Sequence, residues 1–137
     1  MSYLLDTNVV SELARPRPSR RVLAWFETVP DDALHLSVLT LGEIRKGVEQ
    51  IREARRRERL RVWLEQELPG WFGPRLLLVD AGVADRWGRI LAEAGRPVPA
   101  IDSLLAATAL HHELRLVTRN VDDFLFPGLD VINPWSN

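Results

Sequence analysis

The sequence has 137 residues, no cysteine and a net charge of −1, which suits one domain over residues 1–137. The lack of cysteine excludes a disulfide scaffold, a cysteine-ligated zinc ribbon and thiol catalysis. No apolar run could span a bilayer and no signal-peptide pattern begins the chain, so we expect a cytoplasmic protein with no membrane partner.

The first half of the chain alternates short apolar runs with helical patterns. Pro16 and Pro18 should end the first helix, and Pro69-Gly70 should end a long charged helix or helix pair. The predicted strands of this half cover residues 3–5 and 34–37, and the predicted helices cover residues 7–14, 19–29 and 39–67.

The second half repeats the alternation. Its predicted strands cover residues 76–79, 114–117 and, as a short fifth strand, 130–132; its predicted helices cover residues 80–94 and 99–112. Strands that alternate with helices indicate right-handed crossovers and a parallel sheet covered on both faces. We therefore predict an α/β fold whose ligands bind beyond the carboxyl ends of the strands.

Acidic and amide side chains lie at the junctions between the predicted strands and the helices or turns that follow them. They are Asp6, Glu43, Asp102, Asn120, Asp122 and Asp123. Each has a structural explanation when it is taken alone. Asp6 could cap its helix, Thr40 and Glu43 match a capping box, and Asp102 could complement a helix dipole. Asn120 could likewise cap the turn that follows it.

The group is harder to explain as a set of caps, because a parallel sheet can bring these positions to one edge. Two like charges about 4 Å apart repel by roughly 4 kcal/mol at an effective dielectric of about 20. A hard divalent cation removes that cost, and Mg²⁺ and Mn²⁺ prefer carboxylate and water oxygens. Such a site favours phosphodiester chemistry. His35, His111 and His112 have no zinc-binding spacing, and two adjacent helical histidines are expected to face different ways.

The chain resembles the PIN-domain family, in its VapC toxin branch and the FitB-like subgroup. The resemblance is carried by residues 4–12, 36–47, 101–109 and 116–120 and by the ending Asn133-Pro134-Trp135, and it covers essentially the whole sequence. One such motif is weak, whereas four in the same order and spacing are a strong signal. The resemblance implies a parallel sheet of about five strands with helices on both faces.

The same resemblance implies an endoribonuclease that depends on Mg²⁺ or Mn²⁺. Asp6, Glu43 and Asp102 match the first three acidic positions, which implies roles as metal ligands. The fourth position holds Asn120, which adds no negative charge, so we expect a second metal to bind more weakly there. Asp123 is the candidate that compensates, with Asp122 as the alternative. Thr7, Asn8 and Thr118 are expected to support the site through hydrogen bonds.

Basic residues suggest where RNA phosphates bind. Seventeen of the 18 basic residues are arginine, which binds phosphate in a bidentate fork. The candidates are Arg15, Arg17, Arg20 and Arg21, which surround two prolines, and Arg45 and Lys46, which follow Glu43. The arginine-rich stretch at residues 52–61 is interpreted mainly as a solvated helix, with an RNA- or antitoxin-binding surface as the alternative.

The resemblance also implies partners: a homodimer, and an antitoxin that joins it in a larger heteromer and lays a peptide in a groove near the active site. Trp63 and Trp71 flank Pro69-Gly70 and are candidates for an apolar groove. Two other functions stay open. One is a degenerate PIN domain that only binds nucleic acid or protein. The other is a haloacid-dehalogenase-like phosphatase, although its second aspartate is replaced here by Asn8.

Overall fold

The sheet of this protein has five parallel strands in the order β3-β2-β1-β4-β5. The fold was obtained as a computed structural model, which describes residues 1–136. The strands are β1 Tyr3–Leu5, β2 Leu34–Ser37, β3 Leu76–Leu77, β4 Arg115–Val117 and β5 Val131–Ile132. The central strand β1 pairs with β2 on one side and β4 on the other. The predicted parallel α/β sheet is thus confirmed.

Helices connect the strands and cover both faces of the sheet. They are α1 Thr7–Leu13, α2 Arg20–Glu27, α3 Val38–Glu49, α4 Ala54–Val62, α5 Leu68–Phe72, α6 Ala81–Ala94 and α7 Ala100–His111. One core cluster joins Leu5 and Leu36 of the sheet to Val9 of α1 and Phe72 of α5. A second cluster places Leu105 of α7 against the other side of the sheet. The described residues contain no helix that is both long and apolar enough to cross a membrane.

The region predicted as one long charged helix or a pair is divided further. Helix α3 ends at Glu49, and α4 passes through a π-helical turn at Trp63–Glu67 into α5. The expected end at Pro69-Gly70 is wrong, because Pro69 lies in the first turn of α5. Proline lacks a backbone N–H, and it is tolerated there because Pro69 closely follows the π-helical turn, where the regular α-helical bonding is already interrupted. The helix ends at Gly73, whose φ of +52° suits glycine.

The capping box expected at Thr40 and Glu43 is also wrong. Ser37 caps α3, and its hydroxyl accepts a hydrogen bond from the Leu39 backbone N–H at 3.1 Å. The helix therefore begins three residues earlier than a Thr40 cap would require. Glu43 lies in the second turn with its side chain exposed, so capping does not occupy it.

Helices α6 and α7 pack along one another and fix where α7 begins. The indole N–H of Trp87 in α6 donates to the Ser103 hydroxyl at 2.9 Å. That hydroxyl also donates to the Pro99 carbonyl at 2.9 Å. Ser103 is fully buried, so these bonds hold the first turn of α7, where Asp102 lies, against α6.

Candidate active site

Asp6 lies at the centre of the candidate site, where β1 ends and α1 begins. It caps α1, and its Oδ1 accepts a hydrogen bond from the Thr7 backbone N–H at 2.7 Å. Its Oδ2 accepts a hydrogen bond from the Thr118 hydroxyl at 2.8 Å. The side chain is only 7% exposed. Asp6 is therefore both a helix cap and a buried carboxylate held in one orientation, so the two interpretations of it are compatible.

Thr118 and Asn8 form the support behind Asp6. Thr118 follows β4, is fully buried, and accepts a hydrogen bond from the Asn120 backbone N–H at 3.0 Å. The Asn8 amide donates to Asp6 Oδ2 and to the Thr118 hydroxyl, each at 3.4 Å. Asn8 Oδ1 in turn accepts from the Arg119 backbone N–H at 3.3 Å. These bonds tie the end of β1 to the end of β4.

Glu43 reaches the same site from α3. Its Oε1 accepts a hydrogen bond from the hydroxyl of Thr7, the residue whose backbone N–H bonds Asp6. Thr7 thus connects two carboxylates through its two donors. Glu43 also contributes to the raised pKa of Asp6, because its negative charge disfavours a second one nearby.

Asp102 and Asp123 complete the acidic cluster, defined here as Asp6, Glu43, Asp102 and Asp123. Burial is the main cause of the raised pKa of Asp6, with Glu43 and Asp123 adding to it. The pKa of Asp102 is also raised, first by burial and then by the charges of Asp123, Asp6 and Glu43. Four carboxylates from four separated parts of the chain therefore share one electrostatic environment.

The acidic cluster has no cationic side chain to balance it within residues 1–136. The ion pairs of that part of the chain join other residues. The cluster offers only oxygen ligands, and the pKa of the buried Asp6 is raised by burial and by its acidic neighbours. Such a donor set fits a hard divalent cation.

The three candidates for the fourth acidic position are placed differently. Asn120 contributes its backbone N–H to Thr118, and its side chain is exposed. It begins the 3₁₀ turn Val121–Phe124 without a side-chain capping bond, contrary to the capping alternative. Within that turn, Asp123 influences both Asp6 and Asp102. Asp122 does not figure among the charges that shift either pKa, which favours Asp123 as the fourth carboxylate.

The basic residues predicted to bind RNA differ in whether their side chains form ion pairs or hydrogen bonds within the chain. Arg15 pairs with the buried Glu12 at 3.2 Å but stays 63% exposed. Arg21 donates to the Trp135 carbonyl at 3.1 Å. Arg45 is engaged more fully, with Glu49 at 2.9 Å and Glu65 at 2.7 Å. The remaining candidates, Arg17, Arg20 and Lys46, are exposed.

Two residues with notable contacts, Glu12 and Arg119, were not singled out from the sequence. Glu12 is 6% exposed and accepts a hydrogen bond from the Ser19 backbone N–H at 2.8 Å, which closes the arginine-bearing loop between α1 and α2. Arg119 lies beside Asn120, with its guanidinium 5.1 Å from the centre of the Trp135 ring. The Thr-Arg-Asn motif was a visible signal for Arg119. The sequence held no such signal for Glu12, because its role as an acceptor depends on a contact with Ser19 that only the folded loop makes.

An apolar groove leads away from the acidic cluster. A cavity of about 290 Å³ is lined by Thr7, Glu43 and Trp63 among others. Trp63 also lines a neighbouring cavity of about 480 Å³, together with Leu13 and Trp71. The exposed fractions of Leu13 and Trp71 are 39% and 46%. The two tryptophans predicted to form an apolar groove therefore do so, and the groove adjoins the candidate site.

Comparison with known proteins agrees with this geometry. The model of the PIN domain family matches residues 3–126. The chain is 37% identical to toxin FitB of Neisseria gonorrhoeae, covering 98% of this chain and 99% of the relative. It is 36% identical to VapC ribonuclease Y4jK of Sinorhizobium fredii, covering 97% of each.

The structure is similar to a solved complex of FitAcB from Neisseria gonorrhoeae. The TM-score is 0.90 at 36% sequence identity, with 98% of this chain and 99% of the other covered. Other structures that it matches are described as toxin–antitoxin systems or complexes. The similarity covers nearly the whole length of both chains, rather than one motif.

Proposed function

This chain belongs to the PIN-domain family, and we propose that it is a metal-dependent endoribonuclease that acts as the toxin of a type II toxin–antitoxin pair. The observation that carries the proposal is the acidic cluster around the buried Asp6, which no cationic side chain of residues 1–136 balances. Relatives named as VapC ribonucleases and a FitB toxin support the reaction and the biological class.

Asp6 and Asp102 would hold the metal directly, with Glu43 and Asp123 completing its surroundings. A bound Mg²⁺ or Mn²⁺ would polarise the phosphodiester, activate water and offset negative charge on the leaving oxygen. We propose Mg²⁺ as the usual ion, with Mn²⁺ as its substitute, because both prefer carboxylate oxygens.

The chain's own residues prepare this site in three ways. Thr118 and Asn8 fix the Asp6 carboxylate, so little reorganisation is needed when RNA binds. Thr7 holds Glu43 towards the same point. Asp123, which is not fixed by such bonds, would accept a hydrogen bond from the attacking water and so orient it.

The RNA would approach over the exposed arginines beside the cluster. Arg15, Arg17 and Arg20 are exposed and supply the positive charge that the acidic cluster lacks. Arg45 is a weaker candidate than expected, because Glu49 and Glu65 already compensate its charge. Arg119 is the better positioned residue next to Asn120.

We also propose the assembly and location that accompany this activity. Residues 1–137 would form one PIN domain, act in the cytoplasm as a homodimer, and join an antitoxin in a larger heteromer. The antitoxin peptide would lie in the groove lined by Trp63 and Trp71. An arginine at its end could reach the acidic cluster and displace the metal.

RNA cleavage by the purified chain tests the enzymatic proposal. We expect cleavage with Mg²⁺ or Mn²⁺, none with EDTA, and recovery when metal is restored. A chain that binds RNA without cleaving it under any of these conditions would instead be a binding module. A reactive phosphate ester followed by mass spectrometry should leave Asp6 unmodified; an aspartyl-phosphate there would identify a phosphatase.

Antitoxin capture has its own test. The complex should weaken when Asp6→Asn and Asp102→Asn are combined, because the antitoxin arginine loses its carboxylate partners. Trp71→Ala should weaken it through loss of apolar contact instead. If the double variant binds the antitoxin as tightly as the unaltered chain does, the arginine has no part in capture.

A further inference from the structure

A second group of potential metal ligands lies outside the acidic cluster, at the start of α6 and the end of α7. It consists of Asp80, His111 and His112, whose ligand atoms all lie within 4.8 Å of one another. The three side chains reach the surface, so an ion could enter from solvent. None of these residues takes part in the proposed nuclease site.

The adjacent histidines converge because α7 ends between them. His111 is the last residue of the helix, and His112 is the C-cap residue that follows it. Glu113 then has a positive φ of 55°, which turns the chain away. The two imidazole rings have centroids 4.8 Å apart. The expectation that adjacent histidines face different ways is therefore wrong here, because it assumed that the helix continues.

Gly82 fixes where the His111 ring lies. A Cβ atom built on Gly82 would stand 2.3 Å from Cε1 and 2.5 Å from Nε2 of His111. The imidazole thus occupies space that any other residue at position 82 would fill. This packing orients the ring towards the start of α6, where Asp80 is found.

Asp80 supplies a carboxylate oxygen that could bind the ion. It caps α6, and its Oδ1 accepts a hydrogen bond from the Val83 backbone N–H at 3.0 Å. That bond fixes the side chain and leaves Oδ2 for another partner.

We propose that Asp80, His111 and His112 bind a transition-metal dication, with Zn²⁺ as the occupant. Two imidazoles and one carboxylate form a donor set suited to zinc, which takes such ligands at about 2.0–2.2 Å. The ligand atoms lie within 4.8 Å of one another and must move closer together to meet one ion at those distances. Three protein ligands leave a fourth position for water.

The bound ion would join the start of α6 to the end of α7. These helices pack along their length, and the opposite end of α7 carries Asp102. A metal that binds only the folded chain stabilises it in proportion to the logarithm of its concentration. The proposal is independent of the nuclease activity, because it concerns different residues and a different class of metal.

Competition with a chromophoric zinc chelator tests the site in the full-length chain. Excess Mg²⁺ is included to saturate the acidic cluster, so that the remaining Zn²⁺ binding reports on the histidines. We expect one Zn²⁺ per chain that Mg²⁺ does not displace, and a rise in Tm with Zn²⁺. His111→Ala and His112→Ala should weaken the binding at least about tenfold.

A pair of glycines in α6 supplies a matched control. Gly82→Ala should weaken Zn²⁺ binding because its Cβ displaces the His111 ring. Gly88→Ala adds the same methyl group where nothing lies within 4 Å, and should leave Zn²⁺ binding unchanged. Equal weakening by both substitutions would overturn the proposed role of the His111 position.

Asp80→Asn tests the carboxylate ligand while the helix cap is kept, since asparagine also caps helices. It should keep the far-UV circular dichroism spectrum and lose Zn²⁺ affinity. If Asp80→Asn and both histidine variants bind Zn²⁺ as tightly as the unaltered chain does, or if Mg²⁺ removes all bound Zn²⁺, the proposal is wrong.

Discussion

The acidic cluster and the charged surface of α3 and α4 differ in what faces each charge. In the cluster, burial and neighbouring carboxylates raise the pKa of Asp6 and of Asp102. On α3, Glu49 instead accepts hydrogen bonds from Arg61 and Arg45, which lower its pKa to about 2. One region concentrates charge of one sign, whereas the other pairs opposite signs.

This difference separates functional charge from structural charge. Like charges that fold together without a counter-ion make the ligand-free fold less stable, so such a cluster indicates a bound cation. Opposite charges on an exposed helix surface satisfy one another and need no ligand. Residue counts alone would rank the arginine-rich helix as the more functional region, and the contacts reverse that ranking.

The largest expected effect comes from removing one charge at the centre of the cluster. Asp6→Asn and Asp102→Asn should each lower Mg²⁺-dependent RNA cleavage at least about a hundredfold, because the transition state loses preorganised electrostatic support. Initial rates on a labelled RNA measure this. Without metal, Asp102→Asn should be no less stable than the unaltered chain, since it removes charge repulsion from the cluster. Cleavage by both variants at the unaltered rate would contradict the site assignment.

A smaller effect distinguishes the neighbouring aspartates of the last 3₁₀ turn. Asp123→Asn should raise the Mg²⁺ concentration for half-maximal cleavage about tenfold, as loss of an outer contact to a metal does. Asp122→Asn is the matched control and should change it little, because Asp122 is not among the charges that shift Asp6 or Asp102. The reverse order of effects would assign the fourth carboxylate to Asp122.

The hydroxyl behind Asp6 should have a measurable effect on stability. Thr118→Val removes the donor to a buried carboxylate oxygen, which costs roughly 1–3 kcal/mol. Urea unfolding without metal measures the free energy of unfolding. Thr118→Ser should restore most of the loss. Thr28→Val is the control, because that exposed hydroxyl donates only to a carbonyl three residues away.

The sequence predicted the strands and their parallel pairing, because these follow from local patterns, whereas the strand order came from the structure. The three acidic residues named from the sequence, Asp6, Glu43 and Asp102, influence one another electrostatically in the structure. The end of an apolar run marks the end of a strand, and a capping residue marks the start of a helix. Asp6 shows both signals, because it follows the apolar run at residues 3–5 and precedes the first helix. The family motifs then placed Glu43 and Asp102 in the same site. What the sequence could not resolve depends on contacts between distant residues.

Arg45 illustrates this limit. Its position after Glu43 suggested an RNA contact, but Glu65, 20 residues further on, accepts its guanidinium. The choice between Asp122 and Asp123 likewise depends on how the 3₁₀ turn presents each side chain to Asp102. His111 and His112 were judged by helical spacing, which no longer applies once the helix ends at His111.

The smallest expected effect comes from the charged surface of α3 and α4, where opposite charges pair. Glu49→Gln removes the carboxylate that Arg45 and Arg61 share. Since Glu49 is exposed, we expect little change in urea-unfolding midpoint at pH 7 and full RNA cleavage activity.

The pKa of about 2 is below the ordinary glutamate value, so the pair stabilises the fold above roughly pH 4.5 and loses that effect as the pH falls towards 2. The difference in midpoint between the unaltered chain and Glu49→Gln should therefore shrink over that interval. A difference that grows on acidification would mean that Glu49 behaves like the acidic cluster, and the distinction between the two regions would fail.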